Sequence, residues 1–196
     1  MASPSDLPVL LFKRPEDWAA WLDKNHESSS GIWMRLAKKA SALESVTYAE
    51  ALEEALRHGW IDGQKKAYDE ESWLQKFTRR GKKSIWSKIN REKAEELIRD
   101  GRMQPPGLAE VERARADGRW DGAYDSQKSA AVPEDFQAAL DGNPRAKAFF
   151  ATLESYNRYA ILFRIQTAKK AETRARNIQR FIEMLERHEK VHPKRS

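Results

Sequence analysis

Residues 60–78 read WIDGQKKAYDEESWLQKFT, two apolar and aromatic runs joined by Asp69-Glu70-Glu71. Trp60–Tyr68 and Ser72–Thr78 are therefore expected to pair as an antiparallel hairpin, with the acidic tripeptide as its turn. A two-stranded hairpin is marginal in water unless more strands or a helix cover one face. Gly31–Lys38, GIWMRLAK, is apolar and partly alternating and supplies a further strand. Most of the remaining chain has helical periodicity. The expected fold class is α+β and mainly helical, with helices packed on a small antiparallel sheet and a C-terminal all-helical segment.

Upstream of the hairpin, Thr47-Tyr48-Ala49-Glu50 is a capping box, in which the Thr hydroxyl meets the third amide and Glu reaches back. Ala51, Leu52, Ala55 and Leu56 give that helix its buried stripe, and Gly59 ends it. Pro15-Glu16-Asp17 starts an earlier helix that turns Trp18, Trp21 and Leu22 to one side. Met1–Asp6 reads as a frayed tail.

Downstream, Ser87 is read as the cap of a helix lined by Ile89, Ala94, Leu97 and Ile98 and stopped by Gly101. Pro105-Pro106-Gly107 is read as a turn before a short helix through Leu108, Val111 and Ala114. Asp117–Val132 is polar and loop-like, tethered by Trp120 and Tyr124. Helix starts follow at Pro133, at Asn143-Pro144 and at Ser155. In the last helix Ala171, Ala175, Ile178, Ile182 and Leu185 form one apolar seam, flanked by Lys170 and Arg174. The expected division is an α+β body with a basic turn over residues 1–125, and a helical segment packed on that body over residues 126–196.

The 196 residues suffice for a sizeable core, and seven Trp with 40% hydrophobic residues exclude a disordered chain. The 36 Lys and Arg against 30 Asp and Glu give a net charge of +6, which favours a polyanionic partner without fixing a fold. With no Cys, disulfides, thiolate metal sites and Cys nucleophiles are excluded. Leu7–Phe12 is too short for a signal segment and no stretch reaches ~20 apolar residues, so a cytoplasmic protein without membrane insertion is expected.

The densest candidate site is TRRGKKSIWSKIN, residues 78–90, behind Gly59-Trp60-Ile61-Asp62-Gly63. Arg80, Lys83, Ser84, Trp86, Ser87 and Asn90 bring cations, hydroxyls and a ring together, which suits a phosphate attached to something flat. The competing reading is a solvated basic turn with Trp86 in the core. Asp62, between bulky residues and glycine, is either a partly buried base or the ion-pair partner of Arg79 or Arg80. Lys170 and Arg174 lie one turn apart and either face a cleft or line a wet helix face. His188 and His192 lack a third ligand, so no metal is expected, and without a P-loop or dinucleotide fingerprint no cofactor is expected either.

Several stretches together carry a family resemblance. They are Tyr48-x-x-Ala51-Leu52-x-x-Ala55-Leu56-x-x-Gly59-Trp60-Ile61-Asp62-Gly63 and Thr78-x-Arg80-x-x-Lys83-Ser84-x-Trp86-Ser87-x-x-Asn90. Gly101-Arg102-Met103-x-Pro105-x-Gly107-Leu108 and Ala168-Lys169-Lys170-x-Glu172-Thr173-Arg174 follow in order. The chain so resembles the bacteriocin-protection, YdeI/OmpD-associated family, departing from its usual Thr-Pro-Arg at Thr78-Arg79-Arg80, which adds a cation. The resemblance implies a protective, stress-resistance role and brings no catalytic residue with it.

Three functions compete on these residues. The first is a binding module for a small anionic, phosphate- or nucleotide-bearing ligand, held by Trp60, Asp62, Arg80, Lys83, Ser84, Trp86, Ser87, Asn90, Lys170 and Arg174. The second is nucleic-acid binding through an extended basic surface. The third is an enzyme with Asp62 as acid or base and Arg80 on an oxyanion. The first is the expectation carried forward.

Overall fold

A computed structural model describes residues 7–193, so the tail expected at residues 1–6 lies outside the described residues. The chain divides into two compact units, Met1–Ile85 with Asn90–Asp121, and Trp86–Ile89 with Gly122–Ser196. Among the described residues there are eight helices and four strands, an α+β fold.

The first unit is built on the expected hairpin. Strands β3 (Trp60–Ala67) and β4 (Ser72–Arg79) pair antiparallel, with Trp60 opposite Arg79 and Asp62 opposite Phe77. An irregularity between Asp62 and Lys65 shifts the register, which is why the β3 sequence alternates poorly. Strand β2 (Ile32–Ala37) pairs antiparallel along the other side of β4. The sheet is not wholly antiparallel, however. Strand β1 (Val9–Leu10) runs parallel to β2, giving the order β1-β2-β4-β3. Two residues beside Pro8 carry no periodicity to read, and the pairing is held from outside the strand by Trp33 N–H donating to Pro8 C=O at 2.9 Å.

Helix α1 (Pro15–Asn25) buries Trp18 and Leu22, and helix α2 (Tyr48–Arg57) buries Ala51, Leu52, Ala55 and Leu56. The α2 capping box is complete: Glu50 N–H donates to Thr47 Oγ1 at 3.3 Å, and Thr47 N–H to Glu50 Oε2 at 2.8 Å. Their apolar faces meet Ile32, Met34, Leu36, Trp60 and Phe77 in one core. Gly59 leaves α2 at φ +73°, a left-handed exit that glycine takes without strain.

Helix α3 (Lys88–Arg99) starts immediately after Ser87. Its buried stripe is Asn90, Ala94 and Leu97, whereas Ile89, expected inward, is exposed. Helix α4 (Pro105–Ala116) begins at Pro105 itself with Gln104 as its cap residue, so the two prolines open the helix instead of forming a turn ahead of it.

The second unit holds helices α5 (Glu134–Asp141), α6 (Pro144–Thr152), α7 (Ser155–Gln166) and α8 (Ala171–Glu186). Their core contains Phe136, Leu140, Phe150, Ile161, Ile165, Phe181 and Leu185. Asn143 caps α6 as read, accepting Ala146 N–H at 3.0 Å, while α7 takes Glu154 as its cap residue and Ser155 as its first turn. In α8, Ala171 and Ala175 are exposed, and the inward stripe runs through half-buried Arg174 and Ile178 to Phe181 and Leu185.

Candidate functional site

The turn after β4 is tied internally. Ser84 N–H donates to Gly81 C=O, and Gly81 N–H donates to Ser84 Oγ, both at 2.9 Å. Arg80 N–H donates to Gly59 C=O at 3.0 Å, which extends the hairpin pairing by one residue. Beneath the turn lie two buried guanidiniums. Arg80 is only 2% exposed and its Nη1 donates to Ile85 C=O at 3.3 Å. Arg119 donates through Nη1 to Ser84 C=O at 2.7 Å and through Nε to both Asp117 carboxylate oxygens at 2.8 Å. A buried cation is costly without such partners, so both side chains act as clamps that hold the turn from inside.

What the clamps hold up is positive. Arg79, Lys82 and Lys83 are exposed on the turn, and Lys65, Lys66 and half-buried Lys76 stand on the hairpin. None of these six forms an ion pair with a carboxylate among the described residues. Elsewhere in this unit arginines are matched: Arg35 with Asp69 at 2.8 Å, Arg57 with Glu54 at 2.6 Å, Arg113 with Glu110 at 2.9 Å, and Arg102 with Glu53. The acids at the hairpin's own turn do not compensate, because Asp69 is already committed to Ser72 Oγ, to the amides of Glu71 and Ser72, and to Arg35. Rings accompany the charge: Lys66 Nζ sits 4.1 Å from the Trp33 ring centre, and the Arg35 guanidinium 5.5 Å from that of Tyr68.

The ten residues singled out from sequence are therefore placed unequally. Trp60 and Trp86, 0% and 1% exposed, are core rings and offer no face for stacking. Asn90 is likewise buried. Lys83 is exposed and Ser84 shapes the turn. Asp62 is half-buried and accepts the Tyr48 hydroxyl at 2.7 Å. Ser87, in the second unit with Trp86, bridges to Tyr124. Lys170 is exposed at the start of α8, one turn before Arg174.

Arg174 itself is fully engaged. It donates to both Asp135 oxygens, at 2.6 and 2.8 Å, and to Ile165 C=O at 2.9 Å. These hydrogen bonds hold the Asp135 carboxyl below its usual range, against the opposing effect of burial, and raise the Arg174 guanidinium. A depressed carboxyl contributes stability above the unfolded value, about 4, which is lost as pH falls through the lower folded value. The urea midpoint of the second unit should accordingly drop below about pH 4, and Asp135→Asn should flatten that dependence while lowering stability at neutral pH. Parallel pH profiles for the two proteins would contradict this role for the pair.

Sequence reasoning missed Lys65, Lys66, Lys76, Trp33 and Arg119. The adjacent lysines of an exposed edge strand were a usable signal, since lysine is a common device for blunting sheet edges. Arg119, isolated in a Gly- and Asp-rich loop, offered none. Among the described residues no group of three His, Asp or Glu is placed to hold a metal, and no helix is long and apolar enough to cross a membrane.

Comparison with known families finds two matches. Residues 10–110 match a domain of unknown function (DUF8412), and residues 129–188 match the bacteriocin-protection, YdeI or OmpD-associated family. The motifs between Tyr48 and Leu108 fall in the first match and that at Ala168–Arg174 in the second. No curated protein and no solved structure matches the chain. The chain belongs to the bacteriocin-protection, YdeI or OmpD-associated family, and its residues 10–110 form a domain of the DUF8412 family.

Proposed function

We propose that the protein is a binding module for an anionic, phosphate-bearing ligand, and that this binding serves the protection its family's description names. The reading is carried by the six cations of the β3–β4 hairpin and its trailing turn that have no carboxylate partner among the described residues. Unpaired surface cations raise the local positive potential, and a phosphate that displaces their counterions gains affinity. Arg80 and Arg119 contribute by fixing the turn, not by touching the ligand.

The spread of the cations favours a second reading beside a single nucleotide. Lys66 lies opposite Leu74, five residues before Arg79, so the row covers about 17 Å of strand before the turn adds Lys82 and Lys83. A chain of phosphates would meet more of that row than one phosphate can. Fluorescence anisotropy with labelled AMP and with a short labelled single-stranded oligonucleotide, each over a range of salt, separates the two. For the oligonucleotide, six neutralised phosphates would give a log–log salt slope of about −4. A steep slope with much tighter oligonucleotide binding supports the polyanion, and equal affinities with a shallow slope support the mononucleotide. Binding of neither at low salt removes the anion reading altogether.

A further inference from the structure

The second unit contains a hollow of about 370 Å³ lined by Gln127, Ala130, Leu153, Ser155, Arg158, Tyr159 and Leu162. Its chemistry is graded. Leu153 and Leu162 are buried and form an apolar floor with Ala130, while Gln127 and Ser155 are exposed at the rim and joined by a 3.0 Å hydrogen bond. Tyr159 is oriented by its hydroxyl, which donates to Asp125 C=O at 2.9 Å, so its ring stands as a fixed wall. Arg158 is the single charged side chain of the lining. Its guanidinium lies 4.8 Å from the Phe150 ring centre and has no carboxylate partner among the described residues.

We infer that this hollow is a binding site for a small organic monoanion, a carboxylate carried on an apolar body. The volume lies within the range of about 300–1,000 Å³ typical of small-molecule sites. A planar guanidinium held against a ring matches a carboxylate with two parallel hydrogen bonds, and the rim hydroxyl and amide supply further donors. One cation balances one negative charge. A phosphate dianion would leave a second charge uncompensated beside leucine side chains, which the desolvation cost disfavours. The apolar floor in turn needs a body to cover it, so acetate alone would use only half of the site. This site lies in the second unit and does not depend on the cationic hairpin for its support.

The probe is phenylacetate, titrated calorimetrically into the full chain, with acetate, benzyl alcohol and inorganic phosphate as controls. Phenylacetate should bind at least about tenfold more tightly than each control, since each lacks either the charge, the body or the charge match. Arg158→Gln should weaken it by about tenfold. Ser155→Trp, an exposed position at the mouth, should block it while leaving the fold intact by circular dichroism. Lys82→Glu with Lys83→Glu should leave phenylacetate binding unchanged, which separates this site from the one in the first unit. Phenylacetate binding that survives both Arg158→Gln and Ser155→Trp overturns the assignment, as does acetate or phosphate binding equally well, or no phenylacetate binding.

Discussion

Trp18→Ala is expected to cost about 3–5 kcal/mol of unfolding free energy, enough to leave the first unit largely unfolded if its total lies near the lower end of about 5–15 kcal/mol. Trp18 is wholly buried and touches four other rings. Its ring centre lies 5.1 Å from that of Phe12, 5.3 Å from Trp21, 6.0 Å from Trp60 and 5.8 Å from Phe77. Through these contacts it joins α1 to β3 and β4, so its removal opens a cavity where helix and sheet meet. Its indole N–H also donates to Ala51 C=O at 3.1 Å, which ties α1 to α2. Trp18→Phe retains much of the ring packing but leaves that carbonyl without its donor, and should cost less, about 1–3 kcal/mol. The check is the urea midpoint at constant slope. Equal losses for the two variants would mean that the hydrogen bond, not the ring cluster, holds the layers together.

Gly107→Ala is expected to destabilise by about 2–3 kcal/mol, although alanine is the better helix former by about 1 kcal/mol. The reason is close approach. A Cβ at Gly107 would collide with the Arg57 carbonyl oxygen, lie 2.8 Å from its carbon and 2.5 Å from Met103 Sδ. The sulfur can move, but the carbonyl cannot easily follow, since it closes α2 and accepts Gln104 N–H at 3.2 Å. Gly142 is the control. It caps α5 at φ −74°, and a Cβ there would find nothing nearer than 3.6 Å, so Gly142→Ala should be neutral or stabilising by up to about 1 kcal/mol. A Gly107→Ala protein as stable as the parent would show that α2 and α4 slide apart at no cost.

The elements legible in the sequence are those whose signals are local. The hairpin shows as two runs around an acidic turn, α2 as a capping box, and α6 as Asn143-Pro144. The elements missed depend on partners distant in sequence. Strand β1 is two residues that become a strand only because β2 lies beside them. In α3 and α8 the buried stripe reaches a polar residue, Asn90 or Arg174, where an apolar scan selects the neighbouring Ile89 or Ala175. Arg174 tolerates that position because Asp135 and Ile165 C=O satisfy its donors.

The candidate site follows the same rule. The run of cations between Thr78 and Asn90 was visible, but composition alone does not distinguish a ring that faces a ligand from one that faces the core. Trp60, Trp86 and Arg80 turned out to be interior. The accessible charge is shared between Lys82 and Lys83 on the turn and Lys65, Lys66 and Lys76 on the strands, a juxtaposition created by the hairpin register.

The central claim, that exposed and unmatched cations on this hairpin and turn bind phosphate, is tested most directly by charge reversal at Lys66, Lys82 and Lys83. All three side chains are exposed and unpaired among the described residues, so Lys→Glu at each should leave thermal stability nearly unchanged. Anisotropy with the labelled oligonucleotide at low salt should then show affinity falling by at least about a hundredfold for the triple variant, with a shallower salt slope. Retained affinity and an unchanged slope in a folded triple variant would contradict the account.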